Sequence, residues 1–389
     1  MRYIFYSAAL FATAALPLFG AGNSPYIHTV FEYCPAPGQF VNELPEYTEG
    51  DTYEDMLSKA ADELCGDRMP GMITLGAYGG YVVFGFDHPV VNVPGVYDFK
   101  IYGNAYISDR DNRGGSSKPG IVMVSADTNG NGLPDDPWYE LAGSEYSKPS
   151  TMHGYQITYY APGDGHVADP DPDYSFITDR TYIRWTSNDE AAPEGYVMRN
   201  KHHTQSYWPG WVTEASMRFS GARLADNYIE TSGNGTNFVL TFYDWGYADN
   251  LPNNEDRGFN IEWAVDEDGN PVMLDKIDFV KVYTGVNQYC GWLGESSTEV
   301  SGAEDLHPDT GSVAGAAADT ELLAVIYCDS SVLHVRTSAG TMPYDIYTVS
   351  GCLAARGMLH NGHNMIGVET LPKGMYVLRA GSRTLKFMK

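Results

Sequence analysis

The sequence predicts an all-β protein. Its body reads as a β-sandwich or jelly roll with one short N-terminal helix, followed by a small C-terminal antiparallel β-sandwich. Three observations predict this. Short runs rich in aromatic and β-branched residues alternate apolar and polar positions along most of the chain. Long polar connections containing Gly, Pro and Asn separate these runs. Only one segment carries the three-to-four-residue spacing of an amphipathic helix.

The helix comes first. Asp51 and Thr52 supply the cap, Glu54 and Asp55 fall in the first turn, and Met56, Leu57, Ala60, Ala61 and Leu64 form one apolar stripe. Gly66 supplies the stop. Strands are then expected over 81–86, 96–102, 120–125, 155–160, 182–185, 237–243, 259–263 and 277–283. No repeat of the ~20–50-residue propeller or solenoid kind is present. Beyond residue 320, shorter runs over 331–336, 344–349, 364–368 and 374–379 are separated by Gly, Asn and Pro turns.

Composition narrows the function. The chain has 389 residues with 24 Lys and Arg against 50 Asp and Glu, a formal charge of −26. Such a surface repels phosphate backbones and anionic lipid, which argues against a nucleic-acid partner. The 29 tyrosines beside so much acid suit a protein that handles sugars, divalent cations, or neutral or cationic ligands. Residues 321–389 differ: seven Lys and Arg against four Asp and Glu give +3, leaving −29 for residues 1–320.

The ends suggest an export route. Arg2, an apolar stretch broken by Pro17, and small residues at 20–22 read as a signal peptide over 1–21. The body then spans 22–305. A small-residue linker over 306–320 precedes the C-terminal domain, 321–389.

Five cysteines in an exported chain allow disulfides. Cys34–Cys65 and Cys328–Cys352 are two options that leave Cys290 over, and the sequence does not choose among pairings.

The strongest candidate site is Asp127-Thr-Asn129-Gly-Asn131-Gly-Leu-Pro-Asp135-Asp136. Side-chain oxygens at alternate positions in a tight loop suit Ca²⁺, which takes six to eight oxygens. Trp138 stands where an EF-hand would place its Glu, so Asp127, Asn129, Asn131, Asp135 and Asp136 read as ligands of a short structural calcium loop. The similar run at Asp266–Asn270 reads as a hairpin turn instead.

Aromatic clusters in loops are candidate ligand contacts. Trp208 and Trp211 follow His202 and His203, while Trp245 and Tyr247 precede Asp249 and Asn250. Tyr289 and Trp292 form a third cluster. Rings beside carboxamides and carboxylates suit sugars, and core packing is the competing account. No third ligand has a spacing that would make His202 and His203 a metal site. No nucleophile elbow, zinc-protease helix or phosphate loop is present, so no catalytic residue is named.

Two resemblances add to this reading. Tyr344-Asp-Ile-Tyr-Thr-Val-Ser-Gly351, Leu371-Pro-Lys-Gly-Met-Tyr-Val377 and the basic end Arg383-Thr-Leu-Lys-Phe-Met-Lys389 resemble the C-terminal sorting domain of type IX (Por) secretion. That resemblance implies the type IX machinery as a partner and the outer-membrane exterior as the destination.

Thr74-Leu-Gly-Ala-Tyr-Gly-Gly-Tyr81, Val83-Phe-Gly-Phe-Asp-His88, Pro119-Gly-Ile-Val-Met-Val124, Tyr139-Glu-Leu-Ala-Gly-Ser144 and Val282-Tyr-Thr-Gly-Val-Asn287 resemble a family of Gram-negative, Bacteroidetes-type cell-surface proteins. The resemblance implies a surface β-protein, non-enzymatic, that captures a nutrient such as a glycan or corrinoid, with an outer-membrane transporter as a further partner. A calcium-dependent polysaccharide hydrolase and a purely structural surface component are the rivals.

Overall fold

The structure is a computed structural model that describes residues 23–108, 111–308, 323–328, 332–337, 340–348, 352–380 and 383–389. The expected signal peptide, and the linker from residue 309 onward, lie outside the described residues.

The protein is all-β, with one α-helix and antiparallel sheets throughout. The centre of the body is a six-stranded sheet in the order Thr29–Cys34, Tyr81–Gly85, Phe279–Thr284, Gly120–Ser125, Tyr139–Leu141, Ala264–Val265. Period-two alternation sends its side chains to two separate cores. Val82, Phe84, Val122, Val124, Val280 and Val282 face one core, which the helix completes with Ala60 and Leu64. Ile121, Tyr283 and the half-buried Tyr81 and Met123 face the other.

A second sheet covers that other face, in the order Glu194–Asn200, Ile177–Ser187, Met152–Tyr160, Ser216–Arg223. It contributes Tyr155, Ile157, Tyr159, Ile183, Val197, Met217 and Phe219. Buried phenols need partners, and these find them: Tyr159 donates to the Tyr78 carbonyl (3.1 Å) and Tyr78 to the Ala222 carbonyl (3.2 Å).

The helix spans Tyr53–Leu64 and closes with the expected box: Thr52 Oγ1 accepts from the Asp55 amide, and Asp55 accepts from the Thr52 amide. Met56, Ala60 and Leu64 are fully buried.

One expected strand is overturned. Over 259–263 the chain makes a single bridge at Phe259 and then a 3₁₀ turn, Ile261–Trp263. Side chains outcompete the ladder there. Asn260 Oδ1 accepts from the Glu262 amide (2.8 Å), and Asp98 Oδ2 takes the Ile261 amide (2.8 Å). The expected strand over 277–283 is interrupted at Asp278, between Lys276–Ile277 and Phe279–Thr284.

The C-terminal segment forms a three-stranded sheet (Leu323–Cys328, Val332–Thr337, Gly362–Gly367) and a four-stranded one (Leu353–Leu359, Met342–Thr348, Met375–Ala380, Arg383–Met388). They share a core of their own, including Leu333, Val335, Ile346, Leu359 and Leu378. The Lys389 ammonium donates to the Glu369 carbonyl (3.0 Å) and to the Leu371 carbonyl, tying the chain end to the turn at 371–374.

Candidate functional site

The candidate site is a pocket of about 400 Å³ lined by loops and short strands outside the central sheet. Segments far apart in sequence meet there: the loop at Gln39 and Phe40, the strand Tyr106–Ser108, Lys118, the turn at His202 and His203, and residues 290–299.

Residues 290–299 shape it. Gly291 (φ +58°) and Gly294 (φ +83°) adopt left-handed conformations around the 3₁₀ turn Gly291–Leu293. A Cβ on Gly294 would stand 2.6 Å from Gln39 Oε1, and one on Gly291 would meet the Phe238 ring at 2.6 Å. The tight turn leaves Trp292 45 % exposed at the pocket mouth, where Tyr106 is 59 % exposed. The His203 and Phe40 rings meet edge to face (4.5 Å), and His202 lies 6.3 Å from Trp292.

Gln39 clamps this wall. Its Nε2 donates to the Leu293 carbonyl (2.7 Å), and its Oε1 accepts from Asn200 Nδ2 (3.1 Å). Asn200 Oδ1 in turn holds the amides of His202 and His203.

Two carboxyls sit in the pocket wall. Glu295 is buried; its Oε1 accepts from the Gln39 amide (2.6 Å) and from Ser297 Oγ (3.1 Å). Its Oε2 has no hydrogen-bond partner. Burial pushes the Glu295 carboxyl up to about 8, against the hydrogen bonds from the Gln39 amide and Ser297 that pull it down, with Glu299 adding a small part of the rise. Glu299, also buried, pairs with the Lys118 ammonium.

Lys118 contacts Asn104 Oδ1 as well, and Asp249 Oδ2 at 3.5 Å. Burial alone would lower the Lys118 ammonium; the Asp249 and Glu299 carboxylates reverse this and raise it. Asp249 supports Lys118 without itself lining the pocket. It is the one non-glycine residue at positive φ (+49°) among the described residues. Its carboxylate accepts from the amides of Asn104 (2.7 Å), Ala105 (2.9 Å) and Glu299 (3.1 Å). Burial raises the Asp249 carboxyl, against the pull of Lys118.

The aromatic residues singled out in the sequence lie elsewhere. Trp208 is buried in the second core, with Nε1 donating to the Val212 carbonyl (3.2 Å). Trp211 is half-buried and stacks on Tyr33. Trp245 is half-buried against Trp263 at 4.6 Å. Tyr247 is buried, and its Oη accepts from the Glu145 amide (3.0 Å). Asn250 is buried and bonds the Tyr243 backbone through both ends of its carboxamide.

Trp208, Tyr247, Asp249 and Asn250 are therefore interior groups rather than the exposed rings and carboxamides expected. Each has a backbone partner that fixes it inside. Trp245, Tyr247, Asp249 and Asn250 do border one recess, of about 40 Å³. That is water-sized space rather than sugar-sized. Trp292 was visible in the sequence as part of an aromatic cluster. Glu295, Glu299 and Lys118 were not, because nothing local marks them.

In the proposed calcium loop, Asp127 accepts from the amides of Gly130, Asn131 and Gly132. Asn129 and Asn131 both donate to Asp135 at 2.9 Å. These four side chains come together. Asp136 turns away to Thr128. The loop is exposed, and no cluster of three His, Cys, Asp or Glu suited to a metal occurs among the described residues. Any cation here would lean on carboxamide and carbonyl oxygens as well as two carboxylates.

Cys34, Cys65 and Cys290 are free thiols. Burial pushes Cys34 up to about 11 and Cys290 up to about 12, so both stay protonated. No helix among the described residues is long and apolar enough to cross a membrane.

A scan against protein-family models and a search of curated proteins matched nothing to this chain.

Proposed function

We propose that this is an exported, non-enzymatic surface protein that captures a small polar ligand in the pocket walled by Trp292, Tyr106 and Glu295. One observation carries the reading. Exposed aromatic rings and buried polar groups converge on about 400 Å³, within the range of ~300–1,000 Å³ typical of small-molecule sites. Rings supply stacking faces, while Asn104, Gln39 and the carboxyls supply hydrogen bonds, a combination suited to sugars. The volume favours a mono- or disaccharide over a whole corrinoid.

The test is a binding panel of neutral sugars, amino sugars and a corrinoid against the wild-type protein. Saturable sugar binding supports the reading, and failure of every sugar ends it. A second reading, a polysaccharide hydrolase, draws on the raised Glu295 carboxyl beside Glu299. Release of reducing ends from a bound polysaccharide would favour it.

The C-terminal resemblance supports type IX export to the cell surface, with an outer-membrane transporter as a downstream partner. The Asp127–Asp136 loop is proposed as a structural Ca²⁺ site, with Asp127, Asn129, Asn131 and Asp135 as ligands. A site filled at 100 times its dissociation constant adds about 2.7 kcal/mol. Thermal melts with and without EDTA check this, and an unchanged melting temperature removes the calcium assignment.

A further inference from the structure

Lys118 and Asn104 meet in the pocket wall with the parts of a reaction around them. The Lys118 ammonium contacts Asn104 Oδ1, the Glu299 carboxylate and, at 3.5 Å, Asp249 Oδ2. The Lys118 side chain is 13 % exposed, and those of Glu299 and Asp249 are almost wholly buried. A C=O bond is only ~1.23 Å long, so a nitrogen bonded to Oδ1 stands near the ~3–3.5 Å from Cγ that a positioned nucleophile needs.

The backbone holds both partners in place. Asp249 Oδ1 accepts from the Asn104 amide (2.7 Å), the Lys118 amide donates to the Asp249 carbonyl (2.9 Å), and Thr298 Oγ1 donates to the Lys118 carbonyl (2.8 Å). The Asn104 carboxamide turns Oδ1 toward Lys118 and Nδ2 toward Met72 Sδ, a weak acceptor at 3.6 Å. Asn104 is exposed, so a group leaving from Cγ has water beside it.

We propose that Lys118 and Asn104 form an intramolecular isopeptide bond, with Glu299 as the proton carrier. The inference does not depend on what the pocket binds. The ammonium passes one proton to the Glu299 carboxylate. The freed amine attacks Asn104 Cγ, so that a C–N bond forms and the C=O electron pair moves onto Oδ1. Glu299 gives its proton to Nδ2 and takes another from Nζ. The Oδ1 electrons then restore the C=O bond, the Cγ–Nδ2 bond breaks, and ammonia departs with the last proton as ammonium. The product is a secondary amide, Glu299 ends as it began, and nothing is oxidised or reduced.

The surroundings favour the proton transfer. At Lys118, Asp249 and Glu299 alike, burial is the largest influence and acts against the charged form. Burial, with the Asp249 charge beside it, pushes Glu299 up to about 7, where a carboxyl can both take and give a proton near neutrality. The two carboxylates outweigh burial at Lys118, so the free amine is a minor form. A reaction that each molecule performs once needs no more than that.

Mass spectrometry of the folded full chain tests the proposal. The wild type should be lighter than the sum of its residues by one ammonia, and digestion should yield a branched peptide joining Lys118 to Asn104. Lys118→Arg keeps the charge but loses the nucleophile, so it should have its full mass and a lower melting temperature. Glu299→Gln should slow the bond about a hundredfold or more, read as the branched fraction against time after refolding. Lys118→Arg remains the unlinked control whether or not Glu299→Gln folds.

A full-mass wild type with no branched peptide would overturn the proposal and leave Lys118 in an ordinary ion pair. So would an ammonia loss that maps only to a succinimide at Asn129 or Asn131, each of which precedes a glycine. A bond that forms equally fast in Glu299→Gln would overturn the role given to Glu299.

Discussion

Lys118 illustrates what one buried charge demands. Its ammonium is held by Glu299, Asp249 and Asn104, and Asp249 is itself pinned by three backbone amides. Removing the cation leaves two buried carboxyls unanswered. Lys118→Ala should therefore cost about 3–5 kcal/mol, read by urea denaturation. A loss below about 1 kcal/mol would mean that the carboxyls are solvated or share a proton without help. Little of this was legible from local residues. Asp249 drew notice only for its aromatic neighbours, while its backbone partners at 104, 105 and 299 lie 145, 144 and 50 positions away. Glu295 meets Gln39 across 256 positions. No spacing rule reaches that far, whereas the glycines around Trp292 were a local signal of a tight turn presenting a ring.

At the scale of elements, alternation and capping carried the reading. The helix with its Thr52 cap and the strand Gly120–Ser125 were legible because hydrophobic period and boundary signals agreed. Two kinds of element were not. Thr29–Cys34 hides behind a bulge between Val30 and Glu32 that breaks its period. Residues 259–263 look like a strand, but Asn260 and Asp98 capture the amides the ladder would need. The C-terminal strands pack a core of their own, apart from both body cores. Deleting residues 321–389 should therefore leave the body folded, with a cooperative melt, while stopping export if this segment is the sorting signal. Cell fractionation and a thermal melt read the two effects separately; surface display after deletion would end the sorting proposal.

For the whole molecule, buried acids set the pH response. Burial raises Glu295 and Glu140 to about 8 and Asp98 to about 7, all above their unfolded values. The folded state then binds more protons than the unfolded state between about pH 4.5 and 8. Stability from these groups is full below the unfolded values and is lost as pH rises through the folded ones. The net charge of −26 pulls the same way through self-repulsion. Melting temperature should be highest near pH 5 and fall steadily to pH 8; a flat or rising profile would contradict the burial of these acids. The same molecule-wide arrangement brings the rings and carboxyls of the pocket together from four separate segments, around residues 40, 106, 202 and 292–299. The most direct measurement compares wild type with Trp292→Ala in calorimetric titration against the best-bound neutral sugar, with melting temperature as the control. The ring is 45 % exposed, so its loss should weaken binding by about 2 kcal/mol or more, as for a stacking hot spot, and leave the melting temperature nearly unchanged. Equal affinity in the two proteins would contradict the assignment of this pocket as the ligand site.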